Sequence, residues 1–153
     1  MSEDRWIISK AERNKSPVPH IYTKTLVPRE VYDRLYEQWG NIQHPHWQKF
    51  CNEMGVQIYF HDDFTHMLTP KQGNTYIGYW FFQQRTDKSK GGEVELTDGV
   101  NKKLLSYWDN TMFIIESNKQ FNVLNRKHQL PGRLFCEMYF NSSICEKFKK
   151  WLS

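Results

Sequence analysis

Two stretches carry side chains that could do chemistry. His61, Asp62 and Asp63 follow the apolar run Val56 to Phe60, with His66 shortly after, and Arg133 stands directly after Pro131-Gly132 at the head of GRLFCEMYF. Imidazoles beside carboxylates can bind a metal ion or shift one another's pKa, although local ion pairing to Asp62 or Asp63 is the commoner outcome. By its residue type alone Arg133 is an ordinary hairpin arginine. His20 precedes a strand-like segment, and His44 and His46 flank Pro45 in a turn, so these three read as polar surface or capping residues. Cys51, Cys136 and Cys145 are odd in number and none has C-x-x-C spacing, which points to reduced thiols rather than a disulfide framework or a zinc knuckle. No G-x-S-x-G, P-loop, H-E-x-x-H or G-x-G-x-x-G occurs, so hydrolase, NTPase and dinucleotide readings have no support.

The elements that must position these groups are organised around Thr75 to Leu96. Tyr76, Ile77, Tyr79, Trp80, Phe81 and Phe82 make a nearly unbroken apolar run of strand length, as a strand covered on both faces requires. A polar segment and Gly91-Gly92 follow, and Glu93 to Leu96 alternates at period two. Upstream, Met1 to Pro19 is a polar, basic arm or short edge strand, and His20 to Leu26 reads as a strand. Pro28 stands where a helix would begin, and Val31, Leu35 and Trp39 predict one buried stripe ending at Gly40. A second helix follows Pro45, with Trp47, Phe50, Cys51 and Met54 on one face and Gly55 as its stop.

Downstream, Thr111 to Glu116 is another short apolar strand. Phe121 to Leu124 and Arg133 to Phe140 read as a hairpin joined across Asn125 to Gly132. Ser143 to Leu152 opens with a capping-box pattern and carries Ile144, Phe148, Trp151 and Leu152 on one face. The class is α+β, with at least six strands.

With 153 residues the chain is expected to be a single domain, residues 1–18 forming its arm, and to bury roughly two-thirds of its unfolded surface. An aromatic content of 16% requires a core built from large rings. Mean hydropathy of −0.77, no apolar run of spanning length and no signal-like start predict a soluble cytoplasmic protein with no membrane partner. The net charge of +4 is mild, and Lys147, Lys149 and Lys150 supply much of it. Such charge is a solvated helix face more often than a nucleic-acid footprint, so a nucleic-acid partner is not indicated.

The order HIYTKTLVPREVYDRLYEQW, YFHDDF, YIGYWFFQ with GGEVEL, NTMFIIES, FNVL and GRLFCEMYF resembles the iron(II)/2-oxoglutarate-dependent oxygenases, most of all their prolyl-4-hydroxylase branch and its short phage versions. The resemblance runs from about Pro19 to Asn141. It implies a double-stranded β-helix, a jelly-roll or cupin-like barrel with N-terminal helices packed on one sheet and a C-terminal helix. It also implies Fe(II) and 2-oxoglutarate at the barrel mouth, the iron held by two His and one carboxylate.

Two registers follow from the resemblance. In the first, His61 and Asp63 supply the H-x-D pair, both pointing to one face if the strand continues. His128 is then the third ligand, Arg133 grips the far carboxylate of 2-oxoglutarate, and Tyr59 lies beside that cofactor. In the second, Asp62-Asp63-Phe64 matches the family's Gly-Asp-Phe, the ligand positions fall near Leu68, Thr69 and Pro70, or at His66 and Leu68 with a shorter loop, and Phe121 stands where a His is expected. Leu, Pro and Phe have no lone pair for a cation. The first register makes the chain a hydroxylase of a peptidyl or small-molecule C–H. The second makes it a binding or interaction module with a lost metal site, taking a small-molecule or peptide ligand in an aromatic pocket around Tyr59, Tyr79, Trp80 and Tyr139.

Overall fold

A computed structural model describes residues 11–61, 76–82, 94–105, 109–116, 121–123 and 134–153. Along these residues the chain runs β1 (Glu12–Asn14), β2 (His20–Thr23), α1 (Arg29–Glu37), α2 (Pro45–Met54), β3 (Val56–His61), β4 (Tyr76–Phe81), β5 (Val94–Thr97), β6 (Lys102–Leu105), β7 (Met112–Glu116), β8 (Phe121–Val123), β9 (Phe135–Phe140) and α3 (Ser142–Leu152). The strands form a six-stranded sheet ordered β1-β2-β7-β4-β9-β3 and a three-stranded sheet ordered β6-β5-β8. Every pairing is antiparallel. The α+β class read from the sequence holds.

β4 lies between β7 and β9, and all six of its residues are buried, as its unbroken apolar run predicts. Alternation sends its side chains into two cores. Tyr76, Trp80 and Phe82 join Met112, Ile114 and Met138 against the helices, where Trp47 and Leu35 meet them. Ile77, Tyr79 and Phe81 join Phe113, Ile115 and Phe135 on the opposite, inner face, which packs against Val94, Leu96 and Leu105 of the small sheet. Gly78 is needed on the helix side, because a Cβ there would lie 2.8 Å from Met138 Cε and 3.1 Å from the Phe140 ring.

The helices follow their signals with shifts at the ends. Pro28 is the N-cap of α1 rather than its first helical residue, and the helix turns Tyr32 and Leu35 fully inward while Val31 and Trp39 are only partly buried. At α2 the His44 ring caps the N-terminus by accepting the His46 N–H at 3.1 Å, and Gly55 ends the helix at φ +64. α3 begins earlier than the capping-box pattern predicts. Asn141, left extended at the end of β9, accepts the Ile144 N–H at 3.0 Å, so Asn141 and not Ser143 is the cap.

The expected hairpin of the last two strands does not form. β8 pairs with β5 in the small sheet, while β9 lies between β3 and β4 in the large one. Both edges of β9 are taken by other strands and its residues are buried on both faces apart from half-buried Tyr139, so β8 has no edge there to pair with. β6 was not foreseen either. It is an edge strand whose Lys102, Lys103 and Leu104 are not buried, a pattern that protects an edge and hides the strand from a search for apolar runs.

Candidate functional site

The inner face of the large sheet is largely apolar, with the buried His20 imidazole on β2 toward one side and the Glu137 carboxylate on β9 toward the other. Glu137 stands between Phe135 and Tyr139 on β9, all three facing inward, and is only 5% exposed. Its direct cross-strand neighbours are Tyr79 on β4 and Tyr59 on β3. His61, at the end of β3, brings Nε2 to 3.2 Å from Glu137 Oε1, with side-chain exposures of 16% and 6% for the pair. The Tyr59 and Tyr139 rings meet edge to face at 5.6 Å, and the His61 ring lies 5.0 Å from Phe135. Tyr79 lies 6.0 Å from Phe135 and 5.1 Å from Phe113. The cluster reaches the surface at β3, an edge strand of the sheet on which Tyr59 is half exposed.

Burial, reinforced by the Glu137 charge, pushes the Tyr139 phenol up to about 12, and the same two causes raise Tyr79 further. Both phenols stay neutral when folded but ionise near their ordinary value of 10 when unfolded. Their folded pKa values are raised, so the stability they contribute is fully present below pH 10 and is lost as pH rises through about 12. Urea unfolding is therefore expected to give a smaller free energy at pH 11 than at pH 9, and Tyr139→Phe should shrink that difference.

Of the residues singled out from the sequence, His61 lies in this cluster and Tyr59 at its rim. Asp63, His128 and Arg133 lie outside the described residues, as do His66, Leu68, Thr69 and Pro70. Phe121 begins β8 opposite Leu96. The aromatic pocket expected around Tyr59, Tyr79, Trp80 and Tyr139 is split by strand alternation. Trp80 faces the helices, fully buried, and donates its indole N–H to Asn110 Oδ1 at 3.1 Å. His20 is not a surface residue. It is fully buried on β2, its Nδ1 lies 2.8 Å from the Val18 carbonyl, and burial lowers its pKa.

All three cysteines carry free thiols, and burial pushes Cys51 up to about 11, far from a reactive thiolate. Glu137 escaped the sequence reading. Its signal was a carboxylate at an inward position of a strand otherwise built from Phe, Cys, Met and Tyr.

A facial triad needs three donors. The described residues bring together one imidazole and one carboxylate, and among them no group of three or more His, Cys, Asp or Glu gathers. That set does not by itself make an iron site. No helix among the described residues is long and apolar enough to cross a membrane.

No family model matches the chain, and no curated protein matches it in sequence. Solved structures do. The crystal structure of a Pseudomonas putida prolyl-4-hydroxylase superposes with a TM-score of 0.55 over 80% of this chain and 87% of that one, at 10% identity. Looser likenesses at 12% identity and a TM-score of 0.36 are an oxidoreductase of the 2OG-Fe(II) oxygenase family from Burkholderia pseudomallei, covering 87% of this chain and 73% of that one, and a prolyl 4-hydroxylase from Phytophthora capsici, covering 90% and 51%. At such identities the Pseudomonas likeness shows a shared fold alone: this chain has an oxygenase-like fold.

Proposed function

We propose that this chain is a double-stranded β-helix of the iron(II)/2-oxoglutarate oxygenase type that acts as a binding module, with the inner face around Glu137 as its ligand site. The strand order supports the barrel. After β3 and β4 in the large sheet the chain passes to β5 and β6 in the small one, then to β7, to β8 and to β9, changing sheet each time, as a jelly roll does. The observation that carries the binding reading is the His61–Glu137 contact. The one proposed iron ligand within the described residues faces a carboxylate of the last strand, in an aromatic setting suited to an organic ligand.

A hydroxylase is the second reading, favoured by His61 lying on the inner face beside a carboxylate. It requires His61, Asp63 and His128 to hold Fe(II) and Arg133 to anchor 2-oxoglutarate. Iron would supply the activation of O₂ and the described residues would supply two donors at most, so no catalytic step is built on them. Titration with Fe(II), or with Mn(II) as an inert substitute, is followed by tryptophan fluorescence with and without 2-oxoglutarate. The binding-module reading expects no saturable response at millimolar metal. Saturable quenching that disappears in His61→Ala would overturn the emptied site and support the hydroxylase instead.

A further inference from the structure

His20 opens β2 as a fully buried imidazole on the inner face, two residues before Tyr22, with Asn14 of β1 and Ile115 of β7 as its cross-strand neighbours. A carbonyl oxygen can only accept, so the 2.8 Å contact with the Val18 carbonyl puts a hydrogen on Nδ1. The neutral ring therefore carries its lone pair on Nε2, and the next proton must go there. Nε2 is buried and has no hydrogen-bond partner among the described residues, and neither has Nδ2 of Asn14 opposite it.

A proton on Nε2 creates a charged N–H in this interior with no acceptor in place, which is costly. The neighbours do little to relieve it. Ile115 of β7 is apolar, and Glu116 after it turns to the helix side opposite Tyr76. Lys103 of β6, opposite inward-facing Leu96, adds like charge, and Glu12 of β1 supplies opposite charge from an exposed position. Burial outweighs the Val18 bond and Glu12, so the His20 pKa lies below its ordinary 6.5.

The strand beside His20 that gives way most cheaply is β1. It is a three-residue edge strand with Glu12 and Arg13 exposed, held in the sheet by β2 and on the other face by the Arg13 guanidinium, 3.8 Å from the centre of the Trp151 ring. β7, on the far side of β2, is paired along both edges and almost wholly buried. Lifting β1 lets water reach the ring while the pairing of β2 with β7 stays intact.

We propose that His20 makes this edge of the large sheet acid-sensitive: a proton on Nε2 releases β1 from β2 while the inner strands stay paired. The closed edge binds that proton more weakly than the open one. Its stability is therefore fully present above pH 6.5 and is lost as pH falls through the lower value of the closed form.

The test is amide hydrogen exchange of the full chain, followed by NMR between about pH 7.5 and about pH 5 and corrected for the intrinsic pH dependence of exchange. Opening of β1 is expected to rise by up to about tenfold per pH unit below 6.5, with the β4 amides unchanged. His20→Asn keeps an N–H donor at the place of Nδ1 and takes no proton there, so its β1 protection should be flat with pH. On the wild-type chain, the ring nitrogen shifts should show the Nδ1–H tautomer and a titration midpoint below 6.5 that coincides with the loss of β1 protection. Protection of β1 that is flat in the wild type, or that falls equally in His20→Asn, overturns the proposal. So does a parallel loss at β4, which makes the transition global rather than an opening of the edge, and so does a His20 midpoint at or above 6.5.

Discussion

Asn110→Ala is expected to destabilise the chain by about 5 kcal/mol, on the order of the whole stability of a domain this size. Asn110 is 4% exposed and ties the segment before α1 to the large sheet. Its Oδ1 accepts from Trp80 Nε1 at 3.1 Å and from the Val27 N–H at 3.3 Å, and its Nδ2 donates to the Val27 carbonyl at 2.7 Å. Alanine strands all three buried partners, each worth about 1 to 3 kcal/mol when left unmade. Asn110 also stands at φ +69, where Asn is tolerated and Ala is strained by roughly 1–2 kcal/mol. Asn110→Gly removes the strain but not the lost bonds, so its urea midpoint should fall between those of wild type and Asn110→Ala. Equal midpoints for Asn110→Ala and wild type would show that these bonds contribute nothing net.

Trp47→Ala is expected to lower stability by about 3–5 kcal/mol, within the range for truncating a buried large ring. Trp47 is fully buried and meets Trp39, Phe50, Phe60 and Trp80 edge to face at ring separations between 4.9 and 6.4 Å. Its indole N–H also serves α1. It lies 3.1 Å from the Leu35 carbonyl and 3.0 Å from that of Gln38, adding a side-chain donor to acceptors at the helix end that also take the Gln38 and Asn41 backbone N–H groups. Trp47→Phe keeps most of the apolar area but loses the indole N–H and part of the ring, so it should recover the larger part of the loss and not all of it. Guanidinium melts of wild type and the two variants check that order.

What could be read from the sequence follows the physics of each segment. β4 was legible because a strand buried on both faces must be apolar at nearly every position, and α2 because Pro45 and Gly55 bracket a clear stripe. β6 was hidden because an edge strand is chosen for polarity, and the last two strands were paired wrongly because sequence proximity does not reveal which edges are already occupied. The same limit governs the site. His61 drew notice as an imidazole beside carboxylates, yet the carboxylate it meets comes from β9, 76 residues away in sequence. Trp80 and Tyr79 are adjacent in the chain and belong to different cores, a separation visible only once the strand's two faces are assigned.

The place of β9 has a consequence for synthesis. β3 and β4 do not touch each other as sheet neighbours, and each is completed only by β9 between them. While a ribosome is making the chain, the two earlier strands therefore wait with open edges until residue 140 has cleared the exit tunnel. That interval is when a nascent copy is most exposed to wrong partners and most in need of a chaperone.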